Sequence, residues 1–98
     1  ESRELAAGEA VEWGLATRTG PEGSALESAI ALASKFAKGP TQAFASSRRV
    51  LHASFNNDFF TQTNIETREI GANMTGADGQ EGLEAFIGKR PPAFTGRQ

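Results

Sequence analysis

Cysteine is absent from this 98-residue chain, and histidine, methionine and tryptophan occur once each. The missing cysteine excludes disulfides and thiolate chemistry, a usage that fits a reducing, cytoplasmic setting. Long apolar runs are missing too. None approaches the roughly 18 residues that a membrane-spanning helix requires, and no signal-peptide pattern is visible, so no membrane partner is expected. Basic residues are not in excess: a net charge of -2 supplies no general attraction to nucleic acid, and none is expected as a partner. Metal-ligand clusters, glycine-rich phosphate loops and nucleophile elbows are all lacking. The 98 residues are therefore expected to hold no catalytic residue and no metal, and to require no cofactor. His52 has no serine, cysteine or carboxylate arrangement near it that would make it a base, which leaves it a structural or surface role.

What the chain does contain is helical periodicity, with no strand alternation, internal repeat or low-complexity run. Residues 5–15, LAAGEAVEWGL, read as a short helix closed by Gly14, with Ala7, Ala10, Val11 and Trp13 on its apolar side and Leu15 beyond the cap. Residues 19–23 form a turn by composition. Ser24 and Glu27 make a capping-box pattern for a second helix, in which Leu26, Ala29, Ile30, Ala33 and Ala37 share a stripe that ends at Gly39. Pro40 takes the favoured first position of a third helix. Its stripe is Phe44, Ser47, Leu51 and Phe55, flanked by Ala43 and Val50, while Arg48 and Arg49 project from the other side as a solvated face. Asn56-Asn57-Asp58 breaks the pattern and offers the cap of a fourth helix, from about Phe59 to Met74. Phe59, Thr63, Glu66, Ile70 and Met74 fall on one face of it. A carboxylate buried there must be paired or protonated, so a helix-to-helix ion pair is favoured for Glu66 over a site acid.

The stretch from Asp78 to Gly96 is the best punctuated. Asp78 and Glu81 have capping-box spacing, and Leu83, Phe86 and Ile87 form a short apolar stripe. Gly88 is expected to end this fifth helix in the left-handed conformation, and Pro91 and Pro92 prevent a restart. Lys89 and Arg90 then stand at the negative end of the helix dipole, near Phe86. Two readings remain open on these residues alone: favourable dipole chemistry without a ligand, or a cationic site for a phosphorylated ligand with a ring for a base to stack on. The fold class is all-α, about five short helices in one domain over residues 1–98. Its seven phenylalanines and few large aliphatics make a poor self-contained core, and Phe55, Phe59 and Phe60 crowd one corner as a candidate interface. For a compact globule of this mass, burial contributes about 145 kcal/mol and chain ordering costs about 150 kcal/mol, so an open layer of helices needs a partner surface.

The pattern D-x-x-EG-x-x-AF-x-x-KR-x-P-x-F-x-G is carried by Asp78, Glu81-Gly82, Ala85-Phe86, Lys89-Arg90, Pro92, Phe94 and Gly96. It closely resembles the carboxyl terminus of the enoyl-CoA hydratase/isomerase (crotonase) family. Ala7, Glu9-Ala10 and Trp13-Gly14-Leu15 match that family's A-x-EA-x-x-x-GL helix, and Leu32-Ala33, Gly39-Pro40-Thr41 and Glu66 match its usual progression. The resemblance implies a C-terminal oligomerisation and lid region of a crotonase fold, without the N-terminal ββα spiral core. That core holds the oxyanion hole for the acyl-CoA enolate and, in hydratases, two acid/base glutamates. The start at Glu1 without methionine fits this expectation of a longer parent chain, a hydratase- or isomerase-like enzyme. By resemblance the parent self-associates as a trimer or hexamer, and its last helix closes over the coenzyme A thioester. Phe86 matches the family's adenine-contacting aromatic, and Lys89 its phosphate-contacting lysine. Gly88 departs from the glutamate common before that lysine, and Arg48 or Arg49 stands where a lysine is frequent. The rival expectation is a non-enzymatic helical self-association module.

Overall fold

The computed structural model describes residues 2–97. Those residues form five helices and no strand: α1 (Ala7–Glu12), α2 (Ala25–Ala37), α3 (Thr41–Ser54), α4 (Phe59–Thr75) and α5 (Ala77–Ile87). The all-α expectation holds. None of the helices is long and apolar enough to cross a membrane. The chain divides into two units, Glu1–Ala33 and Ser34–Gln98, with the boundary inside α2.

In the first unit, α1 ends as its glycine predicts. Gly14 has φ 76, Leu15 N–H donates to the Ala10 carbonyl at 2.8 Å and Gly14 N–H to Val11 at 3.1 Å, the two bonds of a Schellman end. Arg3 pairs with Glu9 at 2.6 Å and lies over the Trp13 ring at 5.4 Å. Before α2, the Ser24 carbonyl accepts from Ser28 N–H as a cap backbone should, while its hydroxyl donates to the Pro21 carbonyl at 2.6 Å. The turn has taken the hydroxyl, and no side-chain contact from Glu27 completes a capping box among the described residues.

In the second unit, Asp58 caps α4: Oδ1 accepts from Thr61 N–H at 2.8 Å and Oδ2 from the Thr61 hydroxyl at 3.1 Å, which holds the Asp58 carboxyl below its ordinary value. Pro40 sits one position earlier than expected, as the residue before α3, where its carbonyl accepts from Phe44 N–H. The Phe36 and Phe44 rings meet edge to face at 5.8 Å.

The packing of α3 on α4 departs from the apolar stripes. The less exposed residues of α3 include Ala43, Ser46, Val50 and Ala53, and those of α4 include Gln62, Ile65, Glu69 and Asn73. Gln62 Nε2 donates to the Val50 carbonyl at 3.0 Å, and Arg49 Nη2 donates to Glu69 at 2.8 Å and to the Ser46 hydroxyl at 3.0 Å. Hydrogen bonding from Ser46, then Arg49, holds the Glu69 carboxyl low. The interhelical ion pair expected of Glu66 is thus made by Glu69. Glu66 is exposed and accepts from Gln62 Nε2 at 3.1 Å. The register of this polar seam also turns the large side chains outward: Phe44, Leu51, Phe55, Phe59, Ile70 and Met74 are all exposed, Phe55 at 89%. Ala85, 1% exposed, is the buried hydrophobic residue among those described.

Gly76 both closes α4, donating to the Ala72 carbonyl, and opens α5, accepting from Gln80 N–H at 3.0 Å. The two helices then meet at Gly79, where a Cβ would lie 2.1 Å from the Asn73 carbonyl oxygen and 2.8 Å from Met74 Cα. Gly79→Ala is expected to destabilise the protein by about 1–3 kcal/mol, because only backbone movement relieves the clash. Gly71→Ala, in α4 with open space around it, is expected to stabilise by about 0.5–1 kcal/mol. Urea denaturation of both variants checks the pair of signs.

Candidate functional site

The site is the carboxyl end of α5 and the tail that folds back beside it. Asp78 does not cap α5. The cap is Gly76, two residues earlier, and the Asp78 carboxylate, 6% exposed, accepts instead from the tail. Thr95 N–H donates to Oδ1 at 2.7 Å, and Gly96 N–H donates to Oδ2 at 2.8 Å. Glu81 likewise does not reach back to the helix start. Its Oε1 and Oε2 accept from Arg90 Nη1 and Nη2 at 2.6 and 2.9 Å, a bidentate pair, and Oε1 also accepts from Ala93 N–H at 2.7 Å. The Arg90 bonds first, then the Ala93 amide, bring the Glu81 carboxyl from 4.5 down to about 2.

The tail is also tied to α3. Gln42 Nε2 donates to the Gly96 carbonyl at 2.9 Å. Gly96 has φ 72, and a Cβ there would lie 2.7 Å from the Thr41 hydroxyl, so this position requires glycine twice over. A Cβ at Gly82 would sit 3.5 Å from the half-buried Phe94 ring, in ordinary contact. Asp78, Glu81, Arg90 and Gly96 of the tail motif thus hold the tail to the helices.

The helix end corrects a second expectation. Gly88 is right-handed (φ -77), and the left-handed residue is Lys89 (φ 49). Lys89 N–H donates to Phe86 at 3.3 Å and Arg90 N–H to Ala85 at 3.0 Å, so a Schellman end forms with lysine in the position glycine usually holds. A left-handed lysine costs roughly 1–2 kcal/mol. Strain of this kind is common at functional sites.

Phe86 and Lys89 come together at the end of α5, three residues apart. Phe86 is 82% exposed and Lys89 is exposed, and among the described residues no hydrogen bond or ion pair engages the Lys89 ammonium. Arg90, expected beside it as a second cation, is committed to Glu81. Chemically, this edge presents an aromatic face and a cation at an open helix end. It has no acid/base pair, and no group of side chains among the described residues could hold a metal.

Two concavities lie elsewhere in the unit. One of about 570 Å³ runs along α3 and α4, lined by Val50, Leu51, Ile70 and Met74 with Glu66 and Glu69. The other, of about 360 Å³, is lined in part by Ala43, Met74, Leu83 and Phe94. Phe86 and Lys89 line neither. Phe55, Phe59 and Phe60 surround the α3–α4 break, all exposed, with the Phe59 and Phe60 rings edge to face at 5.7 Å. His52 is exposed, as expected. Local spacing misses the tail-locking roles of Asp78 and Glu81, because their partners lie 9 to 18 residues away. The motif spacing itself was the available signal.

The family model described as enoyl-CoA hydratase/isomerase matches residues 1–97. A Rhodobacter capsulatus protein named "Probable enoyl-CoA hydratase" is 36% identical over 96 residues, covering 98% of this chain and 37% of that protein. The 1,2-epoxyphenylacetyl-CoA isomerase of Escherichia coli is 30% identical over 94 residues, 96% of this chain and 36% of that one. Among solved structures, an enoyl-CoA hydratase from Geobacillus kaustophilus superposes with a TM-score of 0.87 at 26% identity, over 94% of this chain and 35% of that one. The chain therefore spans about a third of the length of the relatives it matches.

Lys89→Gly is expected to raise stability by about 1 kcal/mol in urea denaturation, by relieving the left-handed strain. The Glu81 lock has its own pH window. Because its folded value is depressed, the contribution of Glu81 is complete above about 4.5 and is lost as pH falls towards about 2. The Ala93 amide resonance should titrate in that acid range, and Glu81→Gln should abolish the titration.

Proposed function

The chain belongs to the enoyl-CoA hydratase/isomerase family, and on that premise we propose that it is the helical, carboxyl-terminal part of an acyl-CoA enzyme. In this role it covers the coenzyme A moiety of a bound thioester and joins subunits into a trimer or hexamer in the cytoplasm. The observation that carries the proposal is the state of the tail motif. Asp78, Glu81, Arg90 and Gly96 are engaged within the chain, whereas Phe86 and Lys89, joined by the bond from Lys89 N–H to the Phe86 carbonyl, are both exposed. Phe86 stacks on the adenine, and Lys89 neutralises a phosphate. Polarisation of the thioester by an oxyanion hole belongs to other parts of the enzyme, and these 98 residues alone are inactive.

The outward stripes support the subunit-joining half of the proposal. Phe55, Phe59 and Phe60 are all at least 75% exposed, and large apolar groups clustered in this way mark surfaces that another surface covers. The same exposure would suit a purely structural self-association module, and the response to coenzyme A separates the two.

In the full-length protein, Lys89→Ala is expected to weaken coenzyme A binding by up to about 1.5–3 kcal/mol. The loss should shrink between about 50 and about 300 mM salt as screening increases. Phe86→Ala is expected to cost about 1–3 kcal/mol through lost stacking. Calorimetric titration with coenzyme A measures both. Unchanged affinity in both variants at low salt, with self-association intact, would instead favour the structural module.

A further inference from the structure

Lys89 is the one non-glycine residue of positive φ among those described, and the chain just beyond it is pinned repeatedly. Arg90 is clamped to Glu81 through two bonds, the same carboxylate takes the Ala93 amide, and Asp78 takes the amides of Thr95 and Gly96. On the other side, the Schellman bonds fasten the turn to Phe86 and Ala85. An ammonium on a four-carbon stem needs no such framework merely to be present. A fixed backbone lowers the ordering cost of aiming it at one point.

We propose that Glu81 and Arg90 are positioning residues for Lys89: their bidentate pair holds the left-handed turn, and that turn directs the ammonium off the end of α5 beside Phe86. This inference rests on the reading of Lys89 as a coenzyme A phosphate contact. It assigns Arg90 to Glu81 rather than to the ligand. It also makes a carboxylate favourable to the binding of an anion. A charge-only account gives the opposite sign, because removing a nearby negative charge should tighten phosphate binding.

The test is a double-mutant cycle in the full-length protein, with coenzyme A itself as the probe in calorimetric titration. Glu81→Gln is expected to weaken binding about threefold or more when Lys89 is present, and to change it little in the Lys89→Ala background. Unchanged or tighter binding in Glu81→Gln, with Lys89→Ala still weakened, overturns the positioning role and leaves the phosphate contact standing. An equal loss in both backgrounds also overturns it, since it marks a general loosening of the tail. If Lys89→Ala alone has no effect, the phosphate contact fails, and the positioning role fails with it. Should Glu81→Gln lose helical circular dichroism, Arg90→Lys takes its place, keeping the cation but not the two-pronged geometry. The same dependence on Lys89 is then required.

Discussion

The buried carboxylate of Asp78 is the interaction on which the second unit most depends. At 6% exposure it must be matched by donors, and the tail supplies two backbone amides, from Thr95 and Gly96. This exchange satisfies a buried charge and two amide donors at once. Its consequences spread outward. The tail returns along α5, Phe94 reaches Gly82, and the Gly96 carbonyl comes within reach of Gln42 on α3. Glu81, one turn further along α5, repeats the device with Ala93 and adds the Arg90 fork. Phe94 is the one large apolar side chain of the tail, so carboxylates do much of the work that burial does elsewhere.

The α3–α4 pair follows the same logic. It is joined by Gln62 to the Val50 carbonyl and by Arg49 to Glu69, across a seam of small and polar side chains. Packing through polar contacts leaves the apolar stripes uncovered. Phe55, Phe59, Ile70, Phe86 and Ile87 stay exposed, and Ala85 is the buried hydrophobic residue among those described. The α3–α4 pair has spent its hydrogen bonds internally and left its apolar faces exposed.

The α5 end carries a lysine at its left-handed position. Gly88, the neighbouring residue, would have been the unstrained choice, yet it is right-handed and the lysine carries the turn. The surrounding bonds hold Lys89 where its own preference would not, while its side chain remains exposed. Strain with an uncommitted cation distinguishes this helix end from that of α1, where Gly14 makes the same turn at no cost.

By itself the sequence determined the number and order of the helices, their breaks at Gly14, Gly39 and Asp58, and the family. Those features rest on interactions within about four residues of each other, and such spacing is written directly in the chain. Tertiary structure alone decided which helix faces pack, that Glu69 rather than Glu66 bridges α3 and α4, and that Asp78 and Glu81 hold the tail rather than cap their own helix. An apolar stripe says that a face avoids water, not what covers it. The partner of a buried carboxylate depends on where the chain returns, and a return of 9 to 18 residues is invisible to local spacing.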